Sequence, residues 1–447
     1  MTAIDGADRH GDTRPTLSEL TGVFARIGCL SFGGPAGQIG MMHRSLVEEK
    51  RWVSEEGFLH ALNYCMLLPG PEAQQLATYI GWLVGGIRGG IIAGLLFILP
   101  GLFLMIGLSA AYALWQETTW LDGLFFGLKA AVLVIVVEAV IRLGRKTLKT
   151  GFLRAIAALA FVALFFFGLP FPLVVLGAGL AGFVAAKTGH MPDLPLARTA
   201  DLPNKRHPLR VIVSLLVWIV VWQAPLFLLW ALSAPESLSA MFSFFSRMAL
   251  VTFGGAYAVL AYVAQVAVED YGWLRPGEMV DGLALAETTP GPLVLVLSFV
   301  GFLVGFREAS GLGVIAGGAL GAVLVAWATF VPSFIFVLAG APFIERMRGN
   351  AVMSAALSAI TAAVVGVILN LALWFGLHVL FTDVIKLSVA PSLGVTVSVP
   401  VLSSVDLAAV ALFLVSALLL FRFKLGVVPV LCFCAVAGLG LRLSGVV

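Results

Sequence analysis

Apolar residues along this chain gather into long, nearly unbroken runs rather than alternating with polar ones. Residues 90–114, 123–141, 211–230, 311–337 and 352–374 are runs of this kind, and about 20 apolar residues are what a helix needs to cross a bilayer. A membrane barrel would show short alternating segments instead, so the pattern predicts spanning helices. Two pairs of shorter runs predict helical hairpins: 155–168 with 173–186, turned by Leu169-Pro170-Phe171-Pro172, and 407–420 with 425–441, turned at Arg422 and Lys424. A third kind of run is interrupted by glycine and proline. Ser31-Phe32-Gly33-Gly34-Pro35 divides 17–30 from 36–47, and Pro69-Gly70-Pro71 divides 56–68 from 72–85. Glycine and proline break helices, and each piece is short for a span. Each pair therefore predicts two half-helices that meet near mid-membrane and return to one side, with Pro71 at the first position of its half-helix.

The interrupted pattern is written twice. The first copy reads Phe24-Ala25-Arg26, Ser31-Phe32-Gly33-Gly34, Glu48, Trp52 and Pro69-Gly70-Pro71. The second reads Phe245-Ser246-Arg247, Thr252-Phe253-Gly254-Gly255, Glu269, Trp273 and Pro290-Gly291-Pro292. From Phe24 to Pro71 they align without a gap at a constant offset of 221 residues, the separation of Phe24 and Phe245. Internal repeats with broken helices point to a secondary transporter and to where its substrate sits. Composition agrees on the class: 60% of the 447 residues are hydrophobic and 11% charged, against about 25% charged in an average soluble domain. The formal net charge is +3, and with no basic tract no nucleic-acid partner is expected. Cys29, Cys65, Cys432 and Cys434 lie in apolar segments and read as small buried hydrophobes. The six histidines show no paired metal-ligand spacing with an acid on an apolar helix, so no metal or other cofactor is expected. An intramembrane enzyme would need such ligands or a nucleophile–base pair, which disfavours that reading.

Loop charge sets orientation, because Lys and Arg concentrate in cytoplasmic loops. Arg142, Arg145, Lys146, Lys149 and Arg154 form one basic loop, and Lys187, Arg198, Lys205, Arg206 and Arg210 form another. Both are placed in the cytoplasm, at the two ends of the hairpin between them. Connection 115–122 carries Glu117 and Asp122 without Lys or Arg and reads as periplasmic. The span 211–230 then starts the second copy outside. Its flanks agree: Arg44, Lys50, Arg51 and Arg88 around the first copy give way to Glu269, Asp270, Arg275, Glu278 and Arg307 around the second. Arg346 and Arg348 in loop 342–349 reverse the sign found at Glu117, and the tip at Arg422 and Lys424 falls inside. The expected architecture is an all-α polytopic membrane protein of two inverted-topology repeats with broken or re-entrant helices. It comprises a cytoplasmic N-terminal tail (1–16) without the apolar run of a cleaved signal peptide, and a first repeat (17–190). A cytoplasmic linker (191–210), a connecting transmembrane helix (211–237) and a second, inverted repeat (238–447) follow.

The breaks predict an oxyanion site. Non-helical backbone at membrane depth is tolerated where it is buried in protein or lines a cavity. The free N–H groups of a half-helix N-terminus, with the helix dipole, favour an anion. Four breaks converging near the bilayer centre would suit a small tetrahedral dianion. A lone Phe-Gly-Gly or Pro-Gly-Pro reads as packing or a plain kink; duplication at fixed spacing in mirrored halves tips the reading to function. Charges inside apolar segments are costly and default to function. Arg26 and Arg247 hold matched places before each glycine break, with snorkelling toward the headgroups as the plain alternative. Lys129 has no acid nearby in sequence and is expected to face the pathway or a distant acid, while Glu138 pairs with Arg142. Glu72 follows the first Pro-Gly-Pro where the second has Leu293, and Glu287 precedes the second where the first has Met66. Glu72 and Glu287 are candidates for exchanging a coupling proton, or are hydrogen-bonded helix-end carboxylates. Gln38, Gln74, Gln75, Asn63, Ser31 and Thr252 are candidate neutral ligands. The small faces Gly86, Gly90, Gly94 and Gly313, Gly317, Gly321 let helices approach closely, joining either the two halves or two subunits of a homodimer.

The paired Phe-Gly-Gly and Pro-Gly-Pro elements, each preceded by Phe-x-Arg and spaced by Glu-x-x-x-Trp, resemble the chromate ion transporter family in its long, two-domain form. The resemblance covers residues 17–441. It carries over Phe32, Gly33, Gly34, Pro69, Gly70 and Pro71, with Phe253, Gly254, Gly255, Pro290, Gly291 and Pro292, as the substrate-binding motif residues. Pro35 is replaced by Ala256 in the second copy, so the two breaks depart from strict equivalence. The resemblance implies a chromate exporter of the bacterial inner membrane, with a cytoplasmic N-terminus, driven by the proton motive force and giving chromate resistance. Chromate is similar to sulfate in shape and charge, so a sulfate or other oxyanion carrier is the alternative, with an anion channel behind it.

Overall fold

The computed structural model describes residues 15–31, 34–66, 68–188, 208–252, 256–308, 313–340, 351–390 and 395–445. Along the chain run α1 (Leu17–Leu30), α2 (Gly34–His43), α3 (Glu55–Cys65), α4 (Glu72–Trp115), α5 (Thr119–Thr147), α6 (Gly151–Phe165), α7 (Phe171–Lys187) and α8 (Pro208–Ala231). Then come α9 (Glu236–Val251), α10 (Ala256–Gln265), α11 (Pro276–Thr288), α12 (Val296–Glu308), α13 (Val314–Phe334) and α14 (Ala351–Leu380). The strands β1 (Val384–Ala390) and β2 (Val395–Pro400) precede α15 (Leu407–Ala417) and α16 (Val427–Leu443). Among the described residues, Glu72–Trp115, Thr119–Thr147, Ile212–Ala231, Val314–Ala339 and Val352–Leu380 are long and apolar enough to cross a membrane. The chain is an all-α polytopic membrane protein, with one small exception. β1 and β2 pair antiparallel, Val384 opposite Pro400 and Leu387 opposite Val397. The alternation Val395-Thr396-Val397-Ser398-Val399 is a period-two signal; the sequence reading assigned no element there.

Element order repeats as the motif does. The succession α1, α2, α3, α4 recurs as α9, α10, α11, then α12 with α13. α2 and α10 each run on into a short π-helical turn, Arg44–Glu49 and Val266–Asp270. α1 opens on a capping box: Thr16 Oγ1 accepts from the Glu19 N–H at 3.2 Å, and the Glu19 carboxylate accepts from the Thr16 N–H at 3.0 Å. α4 is two legs. Gly86, at φ 66 and ψ −160, breaks its helical geometry, and Gly81 then lies against Gly89 and Ala93. α12 and α13 form the equivalent hairpin, with Gly301 against the Gly321 carbonyl and Gly305 against the Gly317 carbonyl. Pro71 stands just before α4 in an extended conformation rather than inside its first turn, and its carbonyl accepts the Gln75 N–H at 3.0 Å.

Glycine sets the close approaches. Gly28 of α1 lies on the Leu96 carbonyl of α4, Gly127 of α5 on the Cys434 carbonyl of α16, and Gly366 of α14 on the Ala157 carbonyl of α6. Helices in lipid gain little from apolar burial against one another, so such backbone-close packing is what joins them. Four of the six glycines on the two small-residue faces are used inside the chain, while an added Cβ at Gly86 or Gly313 meets open space. Gly90 and Gly94 meet Thr78 of their own hairpin and Leu338 and Phe334 of the second repeat, while Gly317 and Gly321 meet Gly305 and Gly301. These contacts also fix direction: the second leg of α4 and its counterpart α13 run antiparallel. α5 and α16 are antiparallel as well, which sets Asp122 beside Arg442. Glu117, Arg275 and Glu278 share that end of the molecule, and α5 carries Arg145 and Lys146 at its other end. The expected basic positions of 191–207 and 342–349 lie outside the described residues.

Adding one methyl to Gly127 forces it into the Cys434 backbone. Gly127→Ala is expected to cost about 1–3 kcal/mol through overpacking and to lower the thermal midpoint of the detergent-purified protein. Gly151→Ala, where a Cβ meets open space, leaves the midpoint unchanged.

Candidate functional site

The breaks meet by exchanging backbone bonds between the repeats. Gly70, in the first Pro-Gly-Pro, donates its N–H to the Thr252 carbonyl at 2.7 Å, and Gly291, in the second, donates to the Ser31 carbonyl at 3.0 Å. Ser31 matches Thr252 and Gly70 matches Gly291, so each bond is the other with the repeats interchanged. The backbone agrees. Ser31 ends α1 at φ −81 and ψ 78, and Thr252 ends α9 at φ −80 and ψ 86. Gly70 and Gly291 have φ 118 and 95, a region open to glycine and strained for other residues. The proline-bearing legs close on the crossing. Gly101, after Pro100 in α4, packs on the Pro290 carbonyl, and Ser333, after Pro332 in α13, occupies the space where Gly70 would carry a side chain. Pro69 is half-buried, and Pro71, Pro290 and Pro292 are buried. Gly34 opens α2 at φ 69. Phe32, Gly33, Phe253, Gly254 and Gly255 lie outside the described residues.

Side chains around this symmetric backbone are not symmetric. Gln38 Nε2 donates to the Gly291 carbonyl, Gln75 Nε2 to the Pro69 carbonyl at 2.7 Å, and Gln74 Nε2 to the Thr78 hydroxyl at 3.0 Å. The Oε1 atoms of all three are buried without a hydrogen-bond partner among the described residues. Buried amides ordinarily find partners, so the crossing has unmet acceptor capacity that a donor such as water would fill. The second copy has Val259, Leu295 and Val296 at the matching places. Its polar group is instead Glu287, buried on α11, whose Oε1 accepts the Tyr257 hydroxyl at 2.7 Å. Glu72 is half-buried at the first position of α4. The hydroxyls of Ser31 and Thr252 turn back to carbonyls of their own helices, Gly28 and Met248, leaving their main-chain carbonyls to the crossing. Asn63 is exposed. Arg26 and Arg247 are exposed too, and Arg247 Nε donates to the Ser243 carbonyl of its own helix. Each lies off the stripe its helix buries, Leu20, Phe24, Ile27 and Gly28 in α1 and Met241, Phe245 and Met248 in α9.

The family profile described as chromate transporter matches residues 18–183 and 239–439, one stretch in each repeat. The chain belongs to the chromate transporter family. It is 34% identical over 356 residues to a chromate transport protein of Pseudomonas aeruginosa, covering 78% of this chain and 79% of that one. A probable chromate transport protein of Synechococcus elongatus is 30% identical over 354 residues, with coverage of 79% and 83%. A chromate transport protein of Cupriavidus metallidurans is 29% identical over 373 residues, with coverage of 79% and 81%. No solved structure matches.

This chromate transporter family member has a second polar centre. Lys129 of α5 faces a distant acid: its Nζ lies 3.1 Å from Asp281 Oδ1 of α11. Asp281 Oδ2 accepts the Tyr112 hydroxyl of α4 at 2.8 Å. One turn earlier on α11, Glu278 pairs with Arg307 at 2.6 Å, and Arg307 also donates to the Trp273 carbonyl at 2.7 Å. The expected Glu138–Arg142 pair is present at 3.8 Å. Asp281 was missed by the sequence reading, although an acid inside Met279–Ala286, an otherwise apolar stretch, is the signal that singled out Lys129. Tyr112 carries no such signal.

The crossing makes a contrast testable at matched positions. Gly70→Ala and Gly291→Ala strain the backbone and crowd Gln75, Ser333 or Leu295, and each is expected to cost about 1–3 kcal/mol. Ser31→Ala keeps the main-chain carbonyl that Gly291 uses and is expected to cost under about 1 kcal/mol. Thermal midpoints of the purified variants separate the two classes.

Proposed function

We propose that the protein is a secondary transporter that exports chromate across the bacterial inner membrane, using the proton motive force, and so confers chromate resistance. The observation that carries this reading is the reciprocal crossing, where two pairs of broken helices from matched repeats meet. Family membership and the names of the relatives supply the ion. The backbone N–H groups of half-helix N-termini recognise a compact dianion by shape and charge without a fixed counter-charge. The antiparallel run of α4's second leg and α13 supports inverted repeats, the arrangement on which alternating access is built. Charge segregation along α5 supports a cytoplasmic N-terminus with the acidic end outside. An inside-negative potential favours outward movement of a dianion, by about 2.3 kcal/mol per charge per 100 mV. Sulfate or another tetrahedral oxyanion is the second reading, favoured by the neutral lining, which has nothing specific to chromium.

Purified protein in proteoliposomes, with pH and voltage gradients imposed separately, tests the reading. Chromate flux that responds to the imposed gradients, and that sulfate inhibits only weakly, is expected. Equal flux of the two ions would move the assignment to a general oxyanion carrier, and no chromate flux would reject it.

Glu72 and Glu287 are the acids nearest the Pro-Gly-Pro breaks and are proposed to exchange the coupling proton there. Glu72→Gln and Glu287→Gln are expected to reduce the response of chromate flux to the pH gradient at least tenfold in one of the two variants. Full wild-type dependence in both would remove this role.

A further inference from the structure

We propose that Asp281 is the port through which the coupling proton is taken up, exchanging it with water in a cleft that opens at the Glu117 end of the molecule. This rests on the carrier reading above and names where its proton is bound first. The cleft is a cavity of about 300 Å³ lined by Tyr112, Glu117, Asp122, Arg275, Glu278 and Asp281 among others. It adjoins a wider space at Gln116, Thr119 and Arg442. Such a volume holds on the order of ten waters. Asp281, 5% exposed, is among the residues that line this cavity. Its Oδ1 pairs with Lys129 Nζ at 3.1 Å, and its Oδ2 accepts the Tyr112 hydroxyl. Glu287, buried to a similar degree and also accepting a tyrosine hydroxyl, is not among the residues that line the cleft.

The groups facing Asp281 define the exchange. Lys129 comes from α5, Tyr112 from α4, and Glu278 and Arg275 from the start of its own helix, with Arg307 of α12 compensating Glu278. Asp122 is compensated by Arg442. Glu117, Asp122, Glu278 and Asp281 line the cleft against one base, Arg275, an acidic excess that favours a hydronium ion over an oxyanion. In the exchange, hydronium gives its proton to an Asp281 oxygen, forming one O–H bond and leaving water. The pair then passes from neutral to a single positive charge, because Lys129 stays an ammonium without its counter-ion. A buried, uncompensated charge is strongly unfavourable, so proton binding here obliges a rearrangement or a new anion near Lys129. The same helices lead inward. Glu287 is six residues beyond Asp281 on α11, about 9 Å, and Gly101 is eleven residues from Tyr112 on α4, about 16 Å.

Two measurements test this on the full-length protein. In proteoliposomes, Asp281→Asn is expected to keep voltage-driven chromate flux and to lose its dependence on the pH gradient. The double variant Asp281→Asn, Lys129→Gln, which leaves no unpaired charge, is expected to do the same and guards against misfolding of the single one. Wild-type pH-gradient dependence in the double variant overturns the proposal, as does wild-type flux that ignores the pH gradient. Infrared titration of the purified protein without chromate gives the second readout. A carboxylic-acid carbonyl band that grows as pH falls in the wild type and is absent from both variants is expected; identical bands in all three overturn it. If the wild type carries no chromate, the carrier reading fails and the infrared titration alone decides for or against Asp281.

Discussion

A peptide N–H or carbonyl without a partner inside a bilayer costs several kcal/mol, and every interrupted helix leaves some of them unpaired. Four interruptions are brought together here, and the exchange between Gly70 and Thr252, and between Gly291 and Ser31, is what makes them compatible with burial. Much else follows from it. The donors are glycines because their φ angles suit no other residue and because Gln75, Ser333 and Leu295 fill the space beside them. The acceptors stand at the ends of α1 and α9, so those helices stop where a carbonyl is needed by the other repeat. Pro100 and Pro332 are each followed by a small residue, Gly101 or Ser333, that lets the long legs approach the crossing. Neither repeat satisfies its own Pro-Gly-Pro glycine in this way, so the two halves depend on each other at this point.

How far the sequence foretold this depends on the scale of the feature. Helix ends around the breaks were legible, because glycine and proline terminate helices by local sterics: 17–30 and 72–85 were read from sequence, and α1 and the first leg of α4 have those limits. The hairpins at Gly168 and at Arg422 were legible for the same reason. The partner of each break was not, since a backbone bond between Gly70 and Thr252 leaves no trace in side-chain pattern. Arg26 and Arg247 are the opposite case. Their matched positions drew a functional reading beside the plain one of snorkelling, and helical phase puts them off the buried stripe of Leu20, Phe24 and Ile27 in α1 and its counterpart in α9. Lys129 was correctly expected to look for a remote acid, and the acid, Asp281, was identifiable by the same rule yet required the fold to pair them. The β1–β2 hairpin was overlooked because a chain so rich in apolar runs masks a short alternating one.

The polar chemistry resides in the departures from symmetry. Where the first copy has Gln38, Gln74 and Gln75, the second has Val259, Leu295 and Val296. Where the second has Tyr257, Asp281 and Glu287, the first has Ala36, His60 and Met66. A scaffold of matched halves has two conformations of comparable energy available by exchanging the roles of its repeats, which is what alternating access requires. Identical side chains would leave nothing to distinguish the ion from the proton. On the proposed reading, the helix N-termini at the crossing meet the oxyanion and the carboxylates of the second repeat meet the proton. The two then need not compete for one site: an ion at the crossing and a proton at Asp281 are separated by about 16 Å of helix and communicate through α4 and α11, which contribute to both. Because those helices also hold Gly101 against Pro290 and Asp281 against Lys129, a shift of either one would change both sites at once, and the proposed coupling is mechanical as well as electrostatic.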